Sequence, residues 1–215
     1  MMPDNQWESA IRGFEQRDQR VSLPDAPILF TGSSSIARWP KLQQSMPHWP
    51  VLNRGFGGSE ITDLLHFMNR VILPYSPRGV IIYSGDNDLA SDKRPEAVAG
   101  DAERLTDNIH ETLPEVTITF FSVKYSPARK PLEQKFRALN HRLETLAQRR
   151  SRFDYLDVAS CLLDDDGQPD ESCFMPDGLH LTEEGYERWT RIVQAYLLAE
   201  YPPTPSPELS HRISP

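Results

Sequence analysis

Five short candidate strands, Ile28–Phe30, Val51–Leu52, Val80–Tyr83, Val116–Phe121 and Phe153–Val158, alternate along this chain with longer stretches whose apolar residues recur at helical spacing. Runs this short read as buried strands, and none approaches the ~18 consecutive apolar residues of a membrane span. Between them lie amphipathic patterns: Ile61, Leu64, Leu65 and Met68; then Val98, Ala102, Leu105 and Ile109; then Leu132, Phe136, Leu139, Leu143 and Leu146, with Pro131 expected as the first helical residue. Trp7, Ile11 and Phe14 predict a helix ahead of the first strand. Leu181–Leu198 predicts a last helix, with Thr182 as N-cap and Trp189, Ile192, Val193, Tyr196 and Leu197 on one face.

Strands and helices that alternate through short connections predict an α/β fold, a three-layer doubly wound (flavodoxin-like) domain with a central parallel sheet of about five strands. The 215 residues suit one core, and 38% hydrophobic with 25% charged residues is an ordinary globular composition. The expected organisation is a helical extension over 1–24 packed on the domain, the domain itself over 25–200, and a Pro-rich, flexible tail over 201–215. A net charge of −8 argues against a nucleic-acid partner, and the basic run from Gln148 to Arg152 reads as a solvated helix end. The polar start MMPDNQWESA lacks a signal peptide's apolar core, so a cytoplasmic location is expected. Cys161 and Cys173 form no paired pattern and read as free thiols, and no metal or cofactor is expected.

Four polar motifs fall at strand ends or just before the last helix. Gly32-Ser33-Ser34-Ser35 follows the first strand, where a serine sits beside free helix amides; by itself it reads equally as a helix cap. Asp177-Gly178-Leu179-His180 puts a carboxylate three residues before a histidine, close enough to bond Nδ1 and leave Nε2 for a nucleophile, though an Asp-Gly turn has the same letters. Gly58, closing Asn53 to Gly58 (NRGFGG), and Asn87, within Gly85-Asp86-Asn87-Asp88, offer a close backbone amide and a neutral side-chain donor. Each of these two also reads as an ordinary turn.

Taken together, GSSS, NRGFGG, GDND and DGLH occur in the order of the four blocks of the SGNH (GDSL-like) hydrolases, and the chain resembles that family from about Ile28 to Trp189. The resemblance implies a serine esterase with Ser34 as nucleophile, His180 as general base and acid, and Asp177 orienting it. It further implies an oxyanion hole made of the Ser34 and Gly58 backbone amides and the Asn87 side chain. Ser33 stands where the family's first block commonly has aspartate, and on sequence alone Ser33 and Ser35 stay open as nucleophiles.

Other readings fit less well. Gly32-Ser33-Ser34-Ser35-Ile36 lacks the second glycine of G-x-S-x-G, Glu60 fills the third glycine of a dinucleotide loop, and Asp164-Asp165-Asp166-Gly167 aligns with a calcium loop only by putting Leu162 and Cys173 at ligand positions. The expected substrates are small, short-acyl esters, including acetyl esters of sugars. Thioesterase or lysophospholipase-like activity and a non-catalytic binding role on the same fold are the alternatives. Arg54 and Arg129 are candidates for an anionic substrate group, with ion pairing as the plainer role.

Overall fold

The computed structural model describes residues 6–203, so the first five residues of the expected extension and the expected tail from 204 onward lie outside the described residues. In chain order the elements are α1 (Glu8–Asp18), β1 (Ile28–Gly32), α2 (Ser34–Ala37), α3 (Leu42–Ser45), β2 (Val51–Gly55), α4 (Ile61–Val71), β3 (Gly79–Tyr83), α5 (Asp86–Ala90), α6 (Pro95–Thr112), β4 (Thr117–Phe121), α7 (Glu133–Arg149), β5 (Phe153–Leu156) and α8 (Glu183–Glu200). The five strands form one parallel sheet in the order β2-β1-β3-β4-β5. Alternate residues of each strand face opposite layers, because side chains on a strand repeat every second residue. Leu29, Val80, Ile82, Ile118 and Phe120 meet α1, α4, α6 and α7, whereas Ile28, Phe30, Ile81, Tyr83 and Phe121 meet α2, α3 and α8.

β2 and β3 flank β1, so the chain leaves β1 in one direction and β3 in the other. That divergence makes the carboxyl ends of β1 and β3 the topological switch point, where open α/β sheets bind ligands. The connections there are short: β1 passes into α2 through Ser33, and β3 into α5 through Ser84 and Gly85.

α1 is built into this core through buried Ile11 and Phe14. Arg70 of α4 holds it with bonds to Glu8 at 2.8 Å and Glu15 at 2.7 Å. At the other end, Tyr201 accepts from Trp49 Nε1 through its carbonyl at 2.7 Å. Trp189 anchors α8, fully buried with Nε1 donating to Val158 O at 2.8 Å.

Two helix starts differ from the sequence reading. Pro131 lies inside a 3-10 turn over Pro127–Leu132, and α7 begins at Glu133, because two prolines without N–H groups and a non-helical Arg129 prevent a regular first turn. Leu181 bridges Phe174 as extended chain, so α8 starts only after Thr182, whose hydroxyl accepts from Gly185 N at 3.3 Å. The acidic loop is a turn, with Asp164 Oδ1 accepting from Asp166 N and Gln168 N.

Beyond β4 the backbone would be left unpaired without Asn140 of α7, whose Oδ1 accepts from Val123 N at 2.7 Å while Nδ2 donates to Val123 O at 2.9 Å. Asn140→Ala strands both buried groups, and should lower stability by about 2–4 kcal/mol. Urea unfolding checks this; a midpoint within error of the unsubstituted protein would contradict it.

Candidate active site

The first motif turns sharply because Gly32 takes φ +120°, and a Cβ there would stand 2.0 Å from Tyr83 O. Only glycine fits, and the chain is thereby delivered to Ser33, whose N–H donates to Tyr83 O at 2.9 Å. Of the three serines, Ser33 and Ser35 are buried, with hydroxyls that meet no hydrogen-bond partner among the described residues. Ser33 occupies the N-cap position of α2 without making the cap bond, so the capping role is not the one seen. Ser34 is half-buried, and its Oγ lies 3.0 Å from His180 Nε2.

His180 comes from the turn before α8. Gly178, at φ +63°, lets that turn close, and Ala128 N donates to Gly178 O at 3.0 Å to brace it. Asp177 Oδ1 accepts from the amides of Leu179 and His180, each at 2.9 Å, which leaves Oδ2 for His180 Nδ1 at 2.7 Å. A carboxylate takes only donors, so Nδ1 carries the proton and the Nε2 lone pair faces the Ser34 hydroxyl. The bond from His180, then those from the His180 and Leu179 amides, hold the Asp177 carboxyl well below the usual aspartate range.

The glycine loop reaches the same place. Phe56 N donates to Gly32 O at 2.9 Å, and a Cβ on Gly57 would lie 3.7 Å from the Cβ of Ser34. Gly58 has φ +79°, and a Cβ there would stand 3.0 Å from Cη2 of Trp7. Next to it, Ser59 O accepts from Asn87 Nδ2 at 3.0 Å, so the GDND block is tied to the glycine loop. One hydrogen of that amide nitrogen is used by Ser59, and the other is left for a ligand.

The arrangement combines a hydroxyl with an imidazole bonded to a carboxylate, and the glycine loop, tied to Asn87, passes beside Ser34. It is suited to nucleophilic attack on a carbonyl whose oxygen becomes negative. The profile of the GDSL-like lipase/acylhydrolase family matches residues 19–188. The chain belongs to that family. The match begins only at the end of α1 and runs into α8.

Solved structures agree on the fold. A provisionally assigned acylhydrolase from Bacteroides fragilis is 20% identical over 91% of this chain and 99% of that chain, with a TM-score of 0.77. A GDSL-like lipase from Bacteroides thetaiotaomicron is 17% identical over 88% and 97%, with a TM-score of 0.74. A mutant of an acetyl-xylooligosaccharide esterase from Geobacillus is 17% identical over 82% and 95%, with a TM-score of 0.63. No curated protein matches the sequence significantly.

Arg54 is not at the site of this family member. It is buried, pairs with Asp18 of α1, and stacks over the Tyr75 ring at 4.5 Å, because its strand position faces the N-terminal helix rather than the strand ends. Arg129 does reach the site, but its guanidinium meets Asn87 Oδ1 and Asp86 rather than standing open for an anion. Sequence reasoning missed Lys124, which is fully buried and donates to Tyr83 Oη at 2.9 Å. Ser122 and Val123 separate it from β4, and no local pattern there marks it as buried. Among the described residues, no group of three or more His, Cys, Asp or Glu is placed to hold a metal, and no helix is long and apolar enough to cross a membrane.

The depressed pKa of Asp177 has a defined consequence for pH dependence. Its contribution to stability is present above the ordinary aspartate range and is lost only as pH falls through the folded value in strong acid.

Proposed function

We propose that this acylhydrolase-family protein is a serine carboxylic ester hydrolase that works through an acyl-enzyme. The observation that carries the reading is the continuous chain from Asp177 through His180 to Ser34, with bonds of 2.7 and 3.0 Å. His180 Nε2 takes the proton as Ser34 Oγ attacks the ester carbon, and the carbonyl oxygen becomes an oxyanion. The backbone amides of Ser34 and Gly58 and the Asn87 side chain donate to it. As the tetrahedral species collapses, His180 passes its proton to the leaving alcohol, and Ser34 retains the acyl group. Water, deprotonated by His180, then releases the carboxylic acid and restores the hydroxyl.

The substrate class in this reading is small, short-acyl esters, including acetyl esters of sugars. The short connections that follow β1 and β3 favour it, since neither supplies a lid to cover a long chain. An acetyl-xylooligosaccharide esterase on the same fold is consistent with it. Unpaired Cys161 and Cys173 suit a reducing compartment such as the cytoplasm.

A series of p-nitrophenyl esters from acetate to octanoate, with matched thioesters and with EDTA present, tests the proposal. The highest kcat/KM is expected for acetate and undiminished by EDTA. Preference for octanoate or for the thioesters would replace the substrate assignment, and no turnover of any member would remove the hydrolase reading.

A further inference from the structure

Behind Asn87 lies a buried charged cluster that the steps above do not use. Arg129 donates from Nη2 to Asn87 Oδ1 at 2.8 Å and holds Nη1 3.2 Å from Asp86 Oδ2. Lys124 lies 3.5 Å from the same Asp86 oxygen and donates to Tyr83 Oη. Burial pushes the Lys124 amine below the ordinary lysine range. The turn that carries Arg129 also supplies the Ala128 amide that braces Gly178, which joins the support of Asn87 to that of His180.

A side-chain amide can present its oxygen or its nitrogen to a site with almost the same shape. Only the nitrogen can donate to a developing oxyanion; the oxygen would repel it. Arg129 has donors and no acceptor, so its bond can be made only to the amide oxygen. That bond leaves the nitrogen for Ser59 O and for the reacting carbonyl. A cationic donor on Oδ1 also withdraws electron density from the amide nitrogen and strengthens its N–H as a donor.

We propose that Arg129 is a positioning residue of the oxyanion hole, locking the Asn87 amide with its nitrogen toward the reacting carbonyl and polarising it. This rests on the part given to Asn87 in the proposed function. The test is a double-mutant cycle on kcat and KM for a short-acyl p-nitrophenyl ester, with Tm measured for each protein. Asn87→Ala should lower kcat about 10²- to 10³-fold. Arg129→Met should lower kcat about 10- to 100-fold with KM within about twofold, since the bond it supports strengthens only as charge develops.

The double variant should be no slower than Asn87→Ala alone, because Arg129 acts through that amide. Losses that multiply, or an Arg129→Met protein with a lowered Tm and unchanged kcat, would overturn the positioning role. If Arg129→Met does not fold, Arg129→Lys takes its place in the cycle. The lysine keeps a cation beside Asp86 but lacks the planar fork that faces Asn87 Oδ1 and Asp86 together, so a smaller loss with the same coupling is expected, and an unchanged kcat overturns the role. An Asn87→Ala protein with full kcat would instead remove the reading on which the inference rests, as would unsubstituted protein that hydrolyses no ester.

Discussion

Ser34→Ala is expected to abolish ester hydrolysis, with kcat falling about 10⁵- to 10⁶-fold and the fold intact. The large loss follows from chemistry: without Oγ there is no acyl-enzyme, and what survives is direct attack by water in a site still able to stabilise an oxyanion. The intact fold follows from structure, because Ser34 is half-buried and, among the described residues, its hydroxyl bonds only with His180. The neighbours give the contrast. The hydroxyls of Ser33 and Ser35 are buried without a partner among the described residues, so Ser33→Ala and Ser35→Ala remove no bond seen there and should keep turnover within about tenfold, with stability unchanged or slightly raised. Steady-state kinetics on the three proteins, each with a Tm, separate the serines; comparable losses in all three would show that the turn, rather than Ser34, carries the effect.

Asp177→Asn should lower kcat about 10³- to 10⁴-fold with little change in KM. Asparagine can still accept from the Leu179 and His180 amides through an oxygen at the Oδ1 position. Its amide nitrogen would then replace Oδ2 opposite His180 Nδ1, where two donors cannot face each other. The imidazole must place its proton on Nε2 instead, so it would donate to Ser34 rather than accept from it. Asp177 is 48% exposed, so part of its field is already screened by solvent, which sets the expectation at the lower end of losses for a triad aspartate. A KM that rises with kcat unchanged would mean that Asp177 shapes substrate binding and not the base.

The layers of the fold were legible because burial imposes a period. β1, β3 and β4 stand out by their apolar residues, β2 by Val51 and Leu52 and β5 by Phe153, Tyr155 and Leu156, and Val98, Ala102, Leu105 and Ile109 all turn inward from α6. The site blocks were legible because switch-point chemistry needs unusual residues at strand ends: Gly32 for the turn at φ +120°, a serine after it, and a carboxylate and histidine on one turn. The helices α2, α3 and α5, of four, four and five residues, are too short to display a helical period, and only α2 was foreshadowed, by the turn it follows.

Contacts between distant positions that the family blocks do not cover were not legible. Arg129 and Asn87 are 42 residues apart, and nothing local in either segment announces their bond. Arg54 reads from sequence as a loop residue beside the glycines, yet β2 continues through Gly55 in register with β1 and turns Arg54 onto α1. The departure at Ser33 from the family's usual aspartate has a visible result: beside Ser34 stands a buried hydroxyl without a partner among the described residues, where a carboxylate would have needed donors.

Labelling with a fluorophosphonate, followed by peptide mapping, tests most directly whether Ser34 is the nucleophile activated by His180. Phosphonylation consumes the same activated hydroxyl as acyl transfer and needs no knowledge of the natural ester. The account predicts modification at Ser34 alone, loss of ester hydrolysis in proportion to labelling, and no labelling in His180→Ala. Modification at Ser33 or Ser35, or full ester hydrolysis by protein that remains unlabelled at Ser34, would contradict it.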